Sequence, residues 1–162
     1  MLNINEIMSE ILVQAETQKE NYWIEKIRSQ DYKNIHLAIM VEPYLSMIFS
    51  RDKTIESRFS QKKIKPYGNV FTNDIVVLKK SGGAICGIFN VSDVLSYEFS
   101  SENEILNIKN EYNDKIKANE SFWDIKSNSK YATLMFVSKV FKLDKPISVS
   151  FKNRQSWITF KK

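Results

Sequence analysis

Three ionisable side chains fall within six positions in the segment Lys53-Thr54-Ile55-Glu56-Ser57-Arg58. If that segment is extended, successive side chains alternate between faces. Thr54, Glu56 and Arg58 then share one side, while Ile55, Ser57 and Phe59 share the other. Lys53 stands at the mouth of the strand, so a cation, an anion and a second cation converge on one spot. Such a trio can do two kinds of chemistry. As a receptor, Arg58 offers a planar fork of donors to a phosphate or a base edge, and Lys53 offers a point charge. Glu56 either orients Arg58 or accepts from an amino group. As a catalyst, a Lys53 of depressed pKa, or Glu56 as general base, activates water, with Thr54 the nearest hydroxyl. The bland alternative is a charge ladder on a half-buried strand, each pairing worth under about 1 kcal/mol.

The flanking elements decide whether these groups meet. Ile35 to Val41 is an apolar run short enough for a buried strand, with His36 at its edge in a structural role. Glu42-Pro43 opens a helix, with proline at the first helical position and Leu45, Ile48 and Phe49 on its buried side. The trio follows directly. From 61 to 73 the chain reads as loop, punctuated by Pro66 and Gly68. Tyr67 and Phe71, set among lysines, could stack on bases. They could equally pack on the sheet, and Phe71 is the better placed to do so.

Upstream, Ile4, Ile7, Met8, Ile11, Leu12 and Ala15 form one apolar stripe behind an Asn3/Glu6 capping box. The stripe lapses through Gln14–Glu20 and resumes at Tyr22, Trp23 and Ile27. Residues 4 to 28 are therefore one kinked helix or two, packed on the flank rather than forming a dimerisation arm. Downstream come a strand over Ile75–Lys79, a turn at Ser81-Gly82-Gly83, and a longer strand or strand pair over Ala84–Tyr97. No helix follows the glycines, so they make a turn and not a phosphate loop. Residues 101 to 117 form a helix with a Ser101/Glu104 capping box. Phe122 and Trp123 anchor one end of the domain. Tyr131–Val140 is the strongest strand, Leu143–Ile147 a turn around Pro146, and Trp157–Phe160 a last strand. The pattern predicts an α+β fold, and a small mixed β-barrel with peripheral helices agrees with it.

At 162 residues, with 43% hydrophobic and 27% charged content, the chain suits one folded domain. It has no apolar run of membrane-spanning length and no signal-peptide pattern, so a cytoplasmic, membrane-independent protein is expected. A single cysteine, Cys86, excludes an internal disulfide and reads as a buried thiol. One histidine and one cysteine argue against a zinc site, and no metal or cofactor is expected. The formal net charge is +5, with Lys62, Lys63 and Lys65 clustered after the trio and Lys152, Arg154, Lys161 and Lys162 near the C-terminus. Such clusters fit either solubility or attraction to a polyanion.

Leu37 to Arg58 resembles the opening of the ASCH domain family, a branch of the PUA-like fold, whose signature reads G-x-K-x-x-E-x-R after a strand and a short helix. Lys53, Glu56 and Arg58 are in register; Arg51 stands at the glycine. Asn73-Asp74 takes the place of the family's Gly-Asp pair, and the likeness extends loosely to Tyr131–Trp157. The resemblance implies residues 1–33 as a helical extension and residues 34–162 as an ASCH/PUA-like barrel. It also implies binding of RNA or a modified nucleoside, through Lys53, Glu56, Arg58, Lys62, Lys63 and Tyr67. A related branch hydrolyses the acetyl amide of acetylated cytidine with a lysine, a threonine and a downstream glutamate. There the resemblance retains Lys53 but puts Glu56 where the threonine belongs, leaving Thr54 as a weaker candidate and Glu102, Glu104 and Glu120 unranked as the acid. Monomer and dimer both remain open.

Overall fold

A computed structural model of the chain describes residues 2–150, 152 and 154–162. The N-terminal stripe folds as two helices, α1 (Ile4–Thr17) and α2 (Asn21–Ser29), because the backbone turns left-handed at Lys19 (φ 58°). Asn3 caps α1 by accepting from the amides of Asn5 and Glu6. Then follow β1 (Asn34–Met40), α3 (Tyr44–Ser50), β2 (Ile55–Ser60), β3 (Ile75–Lys80) and β4 (Ile85–Glu98). The chain ends with α4 (Glu102–Ile116), α5 (Glu120–Lys126), β5 (Tyr131–Ile147) and β6 (Trp157–Lys161). The six strands make one mixed sheet in the order β2-β5-β4-β3-β1-β6, in which only β1 and β3 run parallel. The expected α+β fold, a small mixed barrel with peripheral helices, is the architecture observed, its one sheet curled into a half-barrel.

Local chemistry explains most boundaries. Ser101 and Glu104 form the expected capping box at the start of α4. Two expectations are corrected. Pro43 caps α3 from outside (φ −87°, ψ 2°) rather than occupying its first helical position. Leu143–Ile147 is not a turn: β5 runs through Pro146, and Ile147 pairs with Ile85 beside a ladder irregularity that tolerates the missing donor.

The sheet is curled by irregularities that swap its faces. Along β5, Met135 and Val137 point into the inner core, yet Phe141, Leu143 and Ile147, of the same parity, join the outer core under α1 and α2. The switch falls at Lys139, whose φ of 53° adds a left-handed step, and where pairing with β4 shifts register. On β4 the change lies between Val91 and Asp93: Phe89 and Val91 face inward, while Leu95 and Tyr97 pack outward on α4. Gly87 sits in the bend because a β-carbon there would lie 2.5 Å from the Phe141 carbonyl oxygen.

Three cores result. One lies between α1, α2 and the outer sheet face, a second inside the curl beneath α3, and a third between α4, α5 and the β2 end. Cys86 is half-buried against the inner core, not fully buried as its neighbours suggested.

Candidate functional site

On β2 the expected alternation holds for the strand proper. Ile55 and Phe59 join the α4/α5 core, while Glu56 and Arg58 turn to the inside of the curl. There they line a hollow of about 380 Å³, walled by β1, β2, the 64–67 loop and α5. Thr133, opposite Arg58 on β5, completes the floor.

Lys53 is 3% exposed, and its ammonium donates to the Ile116 carbonyl at 2.6 Å, near the end of α4. Burial holds that ammonium below the ordinary lysine range; Glu56 pulls the other way, and Arg58 adds to the depression. Glu56 is 5% exposed, with Oε1 lying 3.4 Å from Arg58 Nε. Arg58 is no free fork. Its Nη2 donates to the Ile39 carbonyl at 3.1 Å, its Nη1 reaches the Ser156 carbonyl at 3.4 Å, and the guanidinium lies 5.2 Å from the Trp157 ring. It bridges β2 to β1 across the side of the curl that no ladder closes.

Among the described residues, three buried side-chain atoms lack a hydrogen-bond partner: Glu56 Oε2, Arg58 Nε and Thr133 Oγ1. All three belong to side chains of this hollow. A buried polar atom left unmet costs about 1–3 kcal/mol, and such atoms mark functional sites. Their concentration in one place gives the hollow hydrogen-bonding capacity that the fold does not use.

The inner wall also holds His36, in the structural role expected of it. Trp157 Nε1 donates to His36 Nδ1 at 3.2 Å, so the imidazole donates from Nε2 to Asp74 Oδ2, 2.8 Å away. Asp74 further accepts from the amides of Lys33, Asn34 and Phe71. The network fixes the ring of Trp157 on which Arg58 rests. Among the described residues, no three His, Cys, Asp or Glu side chains gather as a metal site.

A family model, described as the ASCH domain, matches residues 39–124, more than half of the chain. The chain belongs to the ASCH domain family. Its fold matches the crystal structure of ASCH from Zymomonas mobilis with a TM-score of 0.62 at 12% identity, over 79% of this chain and 88% of that one. A single-residue variant of the same protein gives 0.63 at 11%, over 80% and 90%. At such identity the likeness is one of fold. No curated protein sequence matches.

In this ASCH domain both signature departures keep the backbone a glycine would supply. Arg51 (φ 68°) and Asn73 (φ 75°) are left-handed. Of the residues read from sequence, Lys53, Glu56, Arg58 and Tyr67 line the hollow together. Thr54 does not share their face: it lies before β2, exposed, on a second hollow of about 450 Å³ with Arg51 and Lys139. Lys62 and Lys63 are exposed outside the first hollow, where Lys65 takes their place. Phe71 is 38% exposed beneath the Lys33 ammonium, not packed on the sheet. Of the candidate acids, Glu104 caps α4 and Glu120 pairs with Lys109 at 2.6 Å, while Glu102 lies at a separate surface hollow.

Sequence reasoning missed Thr133, Tyr44, Phe122 and Lys126, all on the hollow's walls. Lys126 is half-buried, and burial, helped by Arg58, holds its ammonium below the ordinary range. A threonine inside the strong β5 run was the one available signal. The α5 residues had none, since their approach is tertiary. No helix among the described residues is long and apolar enough to cross a membrane.

Proposed function

We propose that the hollow is a receptor for a nucleobase, carried on RNA or on a modified nucleoside. The observation behind this reading is the set of three buried atoms on one hollow that make no hydrogen bond, of which Arg58 Nε already faces Glu56 Oε1 across an ion pair. Glu56 Oε2 accepts, and the Thr133 hydroxyl donates or accepts. Together they complement a base edge that mixes N–H donors with ring-nitrogen or carbonyl acceptors. Tyr44 and Phe122, with ring centroids 6.5 Å apart, and Tyr67 offer faces for a planar heterocycle. Lys53, Lys65 and Lys126 outnumber the single carboxylate, which favours a ligand bearing phosphate. In this reading Arg58 is chiefly a strut that holds Glu56. ASCH membership supports an RNA-related ligand.

The test is titration with nucleosides, nucleotides and short RNAs at low salt. Glu56→Gln and Thr133→Val should each weaken binding about tenfold or more, since each removes one polar contact of a buried site. No binding of any of these compounds, or binding indifferent to both substitutions, overturns the reading.

A second reading, hydrolysis of acetylated cytidine, is favoured by Lys53, whose desolvated amine lies in the hollow with Glu56. Water would add to the acyl carbon and give up a proton to Glu56 or to a neutral Lys53. The C–N bond would then break, releasing acetate and cytidine with the proton on its amino nitrogen. Thr54, on the other hollow, has no part in this scheme. Cytidine release that Lys53→Met abolishes supports it; absence of release leaves the binding reading alone.

A further inference from the structure

Beside the hollow lies a second set of residues that the base receptor does not use. Tyr67, on the hollow's wall, packs its ring against Tyr131 at a centroid distance of 5.0 Å and an interplanar angle of 57°. Tyr131 is the first residue of β5, opposite Ser60 on β2, and lies outside the hollow. Both rings are only partly buried. The Lys63 ammonium lies over the Tyr131 ring, 5.6 Å from its centroid, and Lys62 and Lys65 are exposed on the same loop. The rim adds two large apolar side chains, Ile64 at 57% and Val41 at 54% exposure. Apolar exposure at the lip of a site, with cations alongside, is the surface expected for a chain of stacked bases.

We propose that the Tyr67–Tyr131 shelf is a second-nucleotide subsite, so that the ligand is single-stranded nucleic acid and not a free nucleoside. One base enters the hollow. Its neighbour stacks on Tyr131 in place of the exposed Lys63 side chain, which turns with Lys65 to the phosphate between them. The geometry suits this occupant because the shelf is continuous with the hollow through Tyr67, which belongs to both. The three lysines of the 62–65 loop carry charge opposite to a phosphate backbone, and every base has a face to stack whatever its edge. The proposal rests on the base-receptor reading and adds an exit path to it: the strand leaves the hollow past the 62–67 loop.

The test is a length series at fixed salt: the four mononucleotides against the matching dinucleotides and tetranucleotides of RNA. A second nucleotide should tighten binding about tenfold or more, the size of one base–aromatic stack. Tyr131→Ala should abolish that gain and leave mononucleotide affinity unchanged, Tyr131→Phe should keep it, and Lys63→Glu should reduce it. Should Tyr131→Ala fail to fold, the wild-type length series and Lys63→Glu still decide. Equal affinity for one and two nucleotides overturns the shelf while the base receptor stands. A length-dependent gain that survives both Tyr131→Ala and Lys63→Glu also overturns it. If no nucleotide of any length binds, both readings fall.

Discussion

Arg58 Nη2 lies 3.1 Å from the carbonyl oxygen of Ile39, and this contact joins β2 to β1 where the sheet leaves its curl unclosed. A residue that reads in sequence as a ligand clamp is therefore also part of the frame. Arg58→Met should lower unfolding free energy by about 2 kcal/mol, through lost charged hydrogen bonds and lost stacking on Trp157. Arg58→Lys should recover less than half of that, since an ammonium cannot span both carbonyls and lie flat on an indole. Urea denaturation measures both; a loss below about 0.5 kcal/mol in Arg58→Met would deny the bridge any structural role.

The buried Lys53 ammonium gives the protein an alkaline signature. Its pKa is lower folded than unfolded, so between the two values the unfolded chain holds more protons and stability rises with pH. Its burial therefore disfavours folding throughout the range below the depressed pKa, and that penalty is relieved as pH climbs toward the ordinary lysine value. Tyr97 acts with opposite sign: burial, with a contribution from Tyr112, pushes it to about 12, so its stabilising share is lost from the ordinary tyrosine pKa up to that value. Comparing wild type with Lys53→Met by denaturation across alkaline pH isolates the lysine. Wild-type stability should rise relative to that of the variant as pH climbs toward the ordinary lysine value, and a parallel pair of curves would contradict the burial.

Backbone conformation at the signature can be tested without touching the hollow. Arg51 and Asn73 hold left-handed φ values of 68° and 75°. Arg51→Gly should be neutral or stabilising by up to about 1 kcal/mol, because glycine relieves the strain of that conformation. Arg51→Val should destabilise by about 1–2 kcal/mol, since a β-branched residue adopts it least readily. Thermal melts of the two variants should bracket the wild type. Asn73 should gain less from glycine, since asparagine tolerates this region.

How far the chain announced all this varies by element. Amphipathic stripes, caps and turn residues made the helices and most strand ends legible, because their causes are local. Alternation placed Glu56 and Arg58 on one face, and Lys53 joins them from the segment just ahead of the strand. Thr54 broke that rule because it lies before the strand begins, where the backbone no longer alternates side chains between two faces. The strand through Pro146 was hidden because a local breaker signal lost to pairing with Ile85. Thr133, Phe122 and Lys126 reach the hollow only through tertiary packing, which no spacing encodes.

The N-terminal pair of helices is tied to the sheet by specific donors. Trp23 Nε1 donates to the Lys139 carbonyl at 2.7 Å, and Lys26 Nζ to the Asn73 carbonyl at 2.5 Å and Asn90 Oδ1 at 2.7 Å. We propose that residues 1–33 are an added layer that has become integral to folding. Trp23→Phe should cost about 1–3 kcal/mol, the penalty for a buried carbonyl left unmet, with little change in ring packing. Guanidinium titration would show it; a cost near zero would mean that water replaces the indole.

Both carbonyls that α2 reaches belong to residues with left-handed backbones, Lys139 and Asn73. Such corners swing a peptide oxygen away from its ladder, and the helix supplies the missing proton donors from outside. Homologues that have shed this helix should therefore run a regular strand through the first corner or bring a donor from another segment. Helix and kink would be inherited as a pair, and a kinked relative with nothing to meet that oxygen would be less stable.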